Sequence, residues 1–273
     1  MAAVVEQRAI LDDIISFKKG EVAECKELYP TKLLEKSIYF DSDTVSFKSY
    51  ICRKDLSGVI AEFKRKSPSV GYINEYAKVE PISIGYMQAG AAALSVLTDE
   101  HFFGGFASDL TEARKFNYCP ILRKDFIIEE YQVIESKSIG ADAILLIAAV
   151  LAPERIKILA SLARSLGMEV LLEIRSKQEL DTCLNDNIDV VGVNNRDLTS
   201  FTIDIDVSME LLHDIPTDIV KISESGISSP VMAHELQQSG YDGLLMGERF
   251  MRSGRPHIAC AAFIKELKEL RAI

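Results

Sequence analysis

Glu62 and Lys64 stand two residues apart at the end of the apolar run Val59–Phe63, just ahead of the turn residues Ser67, Pro68 and Ser69. In an extended strand that spacing puts a carboxylate and an amine on one face. Further along, Lys124 closes the run Ile121–Phe126, where it shares a face with Leu122 and Phe126, and Glu173 closes Met168–Ile174. Asn194 and Arg196 follow Val190–Val193, while Glu224 and Ser225 follow Ile219–Ile222. Any one of these polar ends reads equally well as a solvated rim. Five apolar runs that close in the same way point to a site. The chemistry open to such a set is acid–base chemistry without a metal. Crowding by a second amine or by apolar walls drives a lysine down from about 10.4 toward neutrality. Two lysines and two glutamates in one cavity would split their pKa values, so that one group gives a proton and another takes it. A Schiff base on Lys124 or Lys221 is also open chemically. Lys221 lies short of its strand end and reads better as a lysine within the barrel wall.

These residues need a frame that gathers the run ends. The runs Val59–Phe63, Ala93–Leu97, Ile121–Phe126, Ala143–Ala148, Met168–Ile174, Val190–Val193, Ile219–Ile222 and Leu244–Met246 alternate with helix-compatible segments such as Ile82–Ala89, Glu154–Ser165 and Val231–Gln238. Strands apolar on both faces and followed by helices imply a parallel sheet covered by helices. Eight such units, with no Gly-rich fingerprint after the first run, favour an α/β fold of the (β/α)8 TIM barrel type over an open doubly wound sheet. Ser176 with Glu179 predicts a capping box, Ser229-Pro230 a helix start, and Gly90, Gly140, Gly167 and Gly240 helix ends. Ahead of the first run lie a helical pattern from Val4 to Leu28, with a break possible at Gly20, and a second helical patch over Leu33–Ile38. The expected organisation is a single domain, with a helical extension over 1–50 and the barrel over 57–273.

Barrels of this type build their active sites at the C-terminal ends of the strands, and many hold a phosphate after the last two. Ser225-Gly226 and Met246-Gly247-Glu248-Arg249 occupy those positions. Glycine there lets backbone amides approach an anion, although two glycines could merely shape turns. With Lys64 and Ser67 beside them across a closed barrel, a phosphate site is the better reading. Phe102, Phe103 and Phe126 could form an aromatic wall or ordinary core.

The chain has 273 residues, 48% of them hydrophobic, and a formal net charge of −10. That charge argues against nucleic acid or an anionic membrane as a partner. The five cysteines are scattered without a CxxC pair and read as reduced thiols of a cytoplasmic protein; the four histidines form no metal-binding pair. Glu6, Arg8, Asp12 and Asp13 interrupt the first residues, which a signal-peptide core would not tolerate.

The motifs Ala61-Glu62-Phe63-Lys64-Arg65-Lys66-Ser67-Pro68-Ser69, Leu94-Ser95-Val96-Leu97-Thr98-Asp99, Leu122-Arg123-Lys124-Asp125-Phe126, Leu171-Leu172-Glu173, Gly192-Val193-Asn194-Asn195-Arg196-Asp197-Leu198 and Ser223-Glu224-Ser225-Gly226-Ile227 occur in order over nearly the whole chain. In them the sequence closely resembles the indole-3-glycerol-phosphate synthases. The resemblance implies a barrel with an N-terminal helical extension and no cofactor or metal. It implies ring closure of 1-(2-carboxyphenylamino)-1-deoxyribulose 5-phosphate, with loss of carbon dioxide and water. By motif, Lys124 would be the general acid, Lys64 would hold the carboxylate or phosphate and serve the dehydration, and Glu62 would be its matching base. Either lysine could serve either oxygen. Glu173 would stabilise positive charge near the amine or shuttle protons. Asn194, Arg196, Glu224 and Ser225 would fix hydroxyls and the lysine–carboxylate contacts. Ser67, Gly226, Gly247 and Glu248 would cradle the phosphate with Lys64, Glu248 through its backbone amide. Phe103, Phe126 and Pro68 would pack around the anthranilate ring. Arg65 and Lys66 are expected to be solvated or helix-side charges. The expected partner is a small phosphorylated substrate, handled by a stand-alone monomer or weak homodimer. A Schiff-base aldolase and a non-catalytic phosphate-sugar sensor are the competing readings.

Overall fold

In the computed structural model, which describes residues 2–197 and 200–271 with side chains from residue 10 onward, the alternating segments close on themselves. Leu198, the last residue of one motif above, lies outside the described residues. Eight parallel strands form a closed barrel in chain order: β1 Val59–Phe63, β2 Ala93–Leu97, β3 Ile121–Lys124, β4 Ala143–Ile147, β5 Glu169–Ile174, β6 Val190–Asn194, β7 Val220–Glu224 and β8 Gly243–Met246. Closure is made by β1, where Ile60 is in register with Ala93 on one side and Leu245 on the other. Helices including Val79–Gln88, Ala107–Phe116, Glu130–Ser138, Pro153–Ser165 and Pro230–Ser239 separate the strands. Their starts follow the sequence: Ser229 accepts from Met232 N with Pro230 in the first turn, and Ser176 accepts from Glu179 N.

The period of two along each strand divides the core into two layers. Val59, Ala61 and Phe63 face outward into the cluster shared with the helices, whereas Ile60 faces inward with Leu122, Leu171, Val190, Ile222 and Leu245. Two residues beyond these inward apolar groups come Glu62, Lys124, Glu173, Gly192, Glu224 and Gly247. The inner face of the barrel is therefore apolar low down and polar at its C-terminal mouth. Strands β6 and β7 run further than their apolar runs, since Asn194 and Glu224 still pair in register. Strand β3 stops sooner, at Lys124, because Asp125 Oδ1 takes the Phe126 amide at 2.8 Å and removes it from the ladder.

The N-terminal segment covers both ends of this barrel. Helix Phe47–Ile51, which the sequence pattern did not reveal, inserts Phe47 and Ile51 into the inner cluster, capped by Ser46. Helix Ala2–Leu28 brings Ile14 into the same cluster and runs unbroken through Gly20. Val22 and Lys18, both buried, fasten the helix on either side of that glycine, and their packing outweighs its propensity penalty of about 1 kcal/mol. The patch Leu33–Ile38 is helical only over Thr31–Leu34, and Leu33 and Ile38 remain exposed, so it buries no apolar face.

Lys18 was not distinguishable by sequence from the solvated charges of its helix, yet its side chain is fully buried. Its ammonium lies 2.8 Å from Asp99 Oδ2, 3.0 Å from Asp125 Oδ1 and 3.0 Å from Glu21 Oε1. Asp99 and Asp125 follow β2 and β3, so one cation pins the helix to the barrel mouth. Removing one member of a buried ion network leaves uncompensated charge, at a cost of about 3–5 kcal/mol. Lys18→Met is expected to lower the unfolding free energy by that amount, read as a lower urea midpoint with an unchanged slope. A midpoint within error of wild type would show that the network does not hold the helix.

Candidate active site

The polar ends of the inward faces meet in a cavity of about 440 Å³ at the C-terminal mouth. Fifteen of the residues named from the sequence line it: Glu62, Lys64, Ser67, Pro68, Phe103, Lys124, Phe126, Glu173, Asn194, Arg196, Glu224, Ser225, Gly226, Gly247 and Glu248. Lys221 lies near the opposite end of β7 and does not, and Phe102 packs edge-on to Phe17 instead.

At the centre, Lys124 Nζ donates to Glu173 Oε2 at 2.8 Å and to Glu224 Oε2 at 3.0 Å. Burial disfavours its charge, but Glu173, Glu224 and Glu62 together outweigh burial and hold its pKa above the ordinary lysine value. The expectation of a lysine driven toward neutrality therefore fails at Lys124: carboxylates surround it, not amines. The group brought near neutrality is Glu224. Burial pushes its carboxyl up to about 7, against the pull of Lys124 and with further help from Glu173 and Glu62. Its second oxygen, Oε1, is buried without a hydrogen-bond partner.

A second pair sits beside this cluster. Lys64 Nζ lies 2.7 Å from Glu62 Oε1, and Ser95 Oγ approaches Glu62 Oε2 at 3.5 Å. Gly247 has a task beyond the expected anion approach, because a Cβ there would lie 2.5 Å from Glu62 Oε1 and 2.8 Å from Glu62 Cβ. The glycine makes room for a carboxylate. Ser225 and Gly226 both adopt positive φ, 68° and 79°, and a Cβ on Gly226 would also press on Ile203. Ser225 is thus a strained non-glycine residue directly after Glu224.

Cations gather at the far side. Arg196 reaches Glu248 Oε2 at 3.2 Å and Ser69 Oγ at 3.4 Å, while Arg252 pairs with Glu248 Oε1 at 2.7 Å. Burial would raise the Glu248 carboxyl, but Arg252, Lys64 and Arg196 prevail and hold it below its usual value. On the opposite wall the rings of Phe103 and Phe126 lie 6.1 Å apart at 42°. Asp99 accepts from the amides of Phe102 and Phe103, so it fixes the turn that carries this ring. Asp99, Asp125, Ser69, Phe201 and Arg252 also line the cavity and were not singled out from sequence. Ser69, Asp99 and Asp125 do lie inside the motifs above; the loop residue Phe201 left no signal. Arg65 is not a solvated charge: it binds Asp109 through two contacts, at 2.5 and 2.8 Å, and donates to Gly104 O and Ala77 O. Lys66 donates to His101 O at 2.8 Å. Both tie the loop after β1 to the loop after β2.

Among the described residues no cluster of three or more His, Cys, Asp or Glu side chains is placed to hold a metal ion, and no helix is long and apolar enough to cross a membrane. A closed parallel barrel with titratable groups and aromatic rings around a cavity at its C-terminal mouth defines an enzyme of the (β/α)8 class. A solved structure described as "Native KDPGal structure" shares the fold, with a TM-score of 0.55 at 15% identity over 78% of this chain and 94% of that one. The family model for indole-3-glycerol phosphate synthase matches residues 11–267. The indole-3-glycerol phosphate synthase of Bacteroides thetaiotaomicron is 45% identical over 259 residues, 95% of this chain and 99% of its own. That of Caldanaerobacter subterraneus subsp. tengcongensis is 39% identical over 260 residues, 95% of this chain and 99% of its own. The chain belongs to the indole-3-glycerol phosphate synthase family, whose members are carboxy-lyases of tryptophan biosynthesis.

The raised Glu224 carboxyl has a consequence for stability. Its folded value of about 7 exceeds the ordinary 4.5, so its contribution is fully present below 4.5 and is lost as pH rises through about 7. Glu224→Gln, which cannot ionise, is expected to melt above wild type at about pH 8 and level with it at about pH 4. Thermal scans with the same offset at both pH values would contradict this.

Proposed function

We propose that the chain closes the indole ring of 1-(2-carboxyphenylamino)-1-deoxyribulose 5-phosphate, with Lys124 as the acid of the first step. The observation that carries this reading is the Lys124 ammonium, held protonated by Glu173 and Glu224 inside a cavity that has aromatic rings on one side and cations on another. Phe103, Phe126 and Pro68 pack around the anthranilate ring. Lys64, Ser67 and the backbone at Gly226, Gly247 and Glu248 take the phosphate. Arg196 and Arg252 neutralise the Glu248 carboxylate, which would otherwise repel that anion.

The ring carbon bearing the carboxylate attacks the ketone carbon, and the ketone oxygen takes the Lys124 proton to become a hydroxyl. The carboxylate leaves as carbon dioxide, and its electron pair restores the aromatic ring. The hydroxyl then leaves as water with a proton from Lys64, while Glu62 takes a proton from the adjacent CH2 and the indole double bond forms. Glu173 and Glu224 flank the lysine, steady the positive charge developing at the nitrogen and return the proton; Asn194 and Ser225 hold substrate hydroxyls. A Schiff base needs a neutral amine, which the carboxylates around Lys124 oppose. The same reading gives a small phosphorylated substrate and a monomer or weak homodimer in the cytoplasm, where the five free cysteines stay reduced.

A positioned general acid supplies ~10²–10⁴-fold, so Lys124→Ala is expected to lose at least that much kcat while melting cooperatively. The assay is direct because the chain has no tryptophan: indole fluorescence of the product rises over a background without indole. Near-normal turnover by Lys124→Ala would end the role given to this lysine, and no fluorescence from wild type with authentic substrate would end the assignment of the reaction.

A further inference from the structure

Gly192 faces the barrel interior in the middle of β6, between Val190 and Asn194. Nothing in its own backbone asks for glycine: its φ is not among the positive ones, and it pairs in register with Glu173 and Ile222 as any strand residue would. Strand-interior glycine loses packing and costs chain entropy, so a reason must come from its neighbours. A Cβ on Gly192 would collide with Glu224 Oε1, would lie 3.2 Å from Glu224 Cδ and would sit 3.1 Å from Leu171 Cδ1. The missing side chain is the space that the Glu224 carboxyl occupies. The same relation recurs directly after β8, where Gly247 gives room to Glu62.

We infer that Gly192 is a positioning residue for the reaction: its empty side-chain position is the socket that holds the Glu224 carboxyl against Lys124 with Oε1 turned into a dry wall. One oxygen meets the ammonium at 3.0 Å, and the other, Oε1, has no hydrogen-bond partner. The groups that face this carboxyl are Lys124 on β3, Glu173 on β5 and Glu62 on β1, while β6 contributes no charge at Gly192. The socket wall is therefore what dehydrates it, in keeping with burial as the main cause of its raised pKa. An alanine at 192 pushes the carboxyl toward the open cavity, where water lowers its pKa and its distance to Lys124 changes. The catalytic part of this inference rests on the ring-closure reading above, and the structural part does not.

The test is a cycle of wild type, Gly192→Ala, Glu224→Ala and the double variant, each read by thermal midpoint and by the pH profile of kcat. Misplacement of about 1 Å can cost on the order of 10²-fold, so Gly192→Ala is expected to lower kcat by about 10–100-fold with little change in KM. Its acid limb should move below that of wild type. In the Glu224→Ala background, where the socket is vacant, the added methyl should cost little midpoint or recover some of it. An equal midpoint loss in both backgrounds, or a Gly192→Ala profile superposable on that of wild type, overturns the inference. If Gly192→Ala fails to fold, a folded double variant supports the socket and an unfolded one overturns it. An inactive wild type would reject the ring-closure reading alone, since the midpoint cycle still reports the socket.

Discussion

The inner face of a parallel barrel is a single column of side chains per strand, and its upper end must be polar if it is to do chemistry and dry if that chemistry is to be selective. Lys124 and its two carboxylates satisfy both demands. An ammonium between Glu173 and Glu224 keeps three charged groups at the mouth without bulk water, because each hydrogen-bonds another. The arrangement has two consequences. The lysine holds its proton more firmly than a free lysine, and the carboxyl that remains half-satisfied, Glu224, is the one brought near neutral pH. Crowding thus divides the group: the lysine stays charged, and the carboxyl beside it is the one that titrates near neutral pH.

The same physics repeats one layer out. Lys18, buried among Asp99, Asp125 and Glu21, couples the N-terminal helix to the ends of β2 and β3. Asp125 is shared with Arg123, which also meets Glu135, so the network reaches the helix after β3. These anions do more than hold charge. Asp99 caps the turn carrying Phe103, and Asp125 takes the amide of Phe126. The aromatic wall of the cavity is therefore positioned by acids whose counter-ion comes from outside the barrel. Arg65, clamped to Asp109 and to two backbone carbonyls, gives the loop after β1 a comparable anchor.

Such a mouth is built against stability. A carboxylate without its full set of partners, a serine at φ 68°, a glycine within β6 and another directly after β8 are each poorer than an apolar alternative. The lower half of the barrel compensates with close apolar packing, closed from below by Phe47 and Ile51. Within the cavity, the strained serine and the paired carboxylates sit at the strand ends.

The sequence by itself determined the barrel and most of the cavity lining, because both rest on periodicity and position along the chain. Alternation along strands shows which residues share a face, the order of runs and helices selects a closed parallel sheet, and barrels place reactive groups at strand ends. Lys124, Glu173 and Glu224 were legible for that reason. What the tertiary structure decided is everything that depends on partners distant in sequence. Lys18 looks like any helix-surface lysine until Asp99 and Asp125 surround it. Arg65 and Lys66 look like a solvated basic run until the loop after β2 meets them. A lysine's pKa moves up or down according to the sign of its neighbours, and Gly192 becomes meaningful only when Glu224 leans across from the next strand. Local pattern fixes direction and face; desolvation and pairing are properties of the closed barrel.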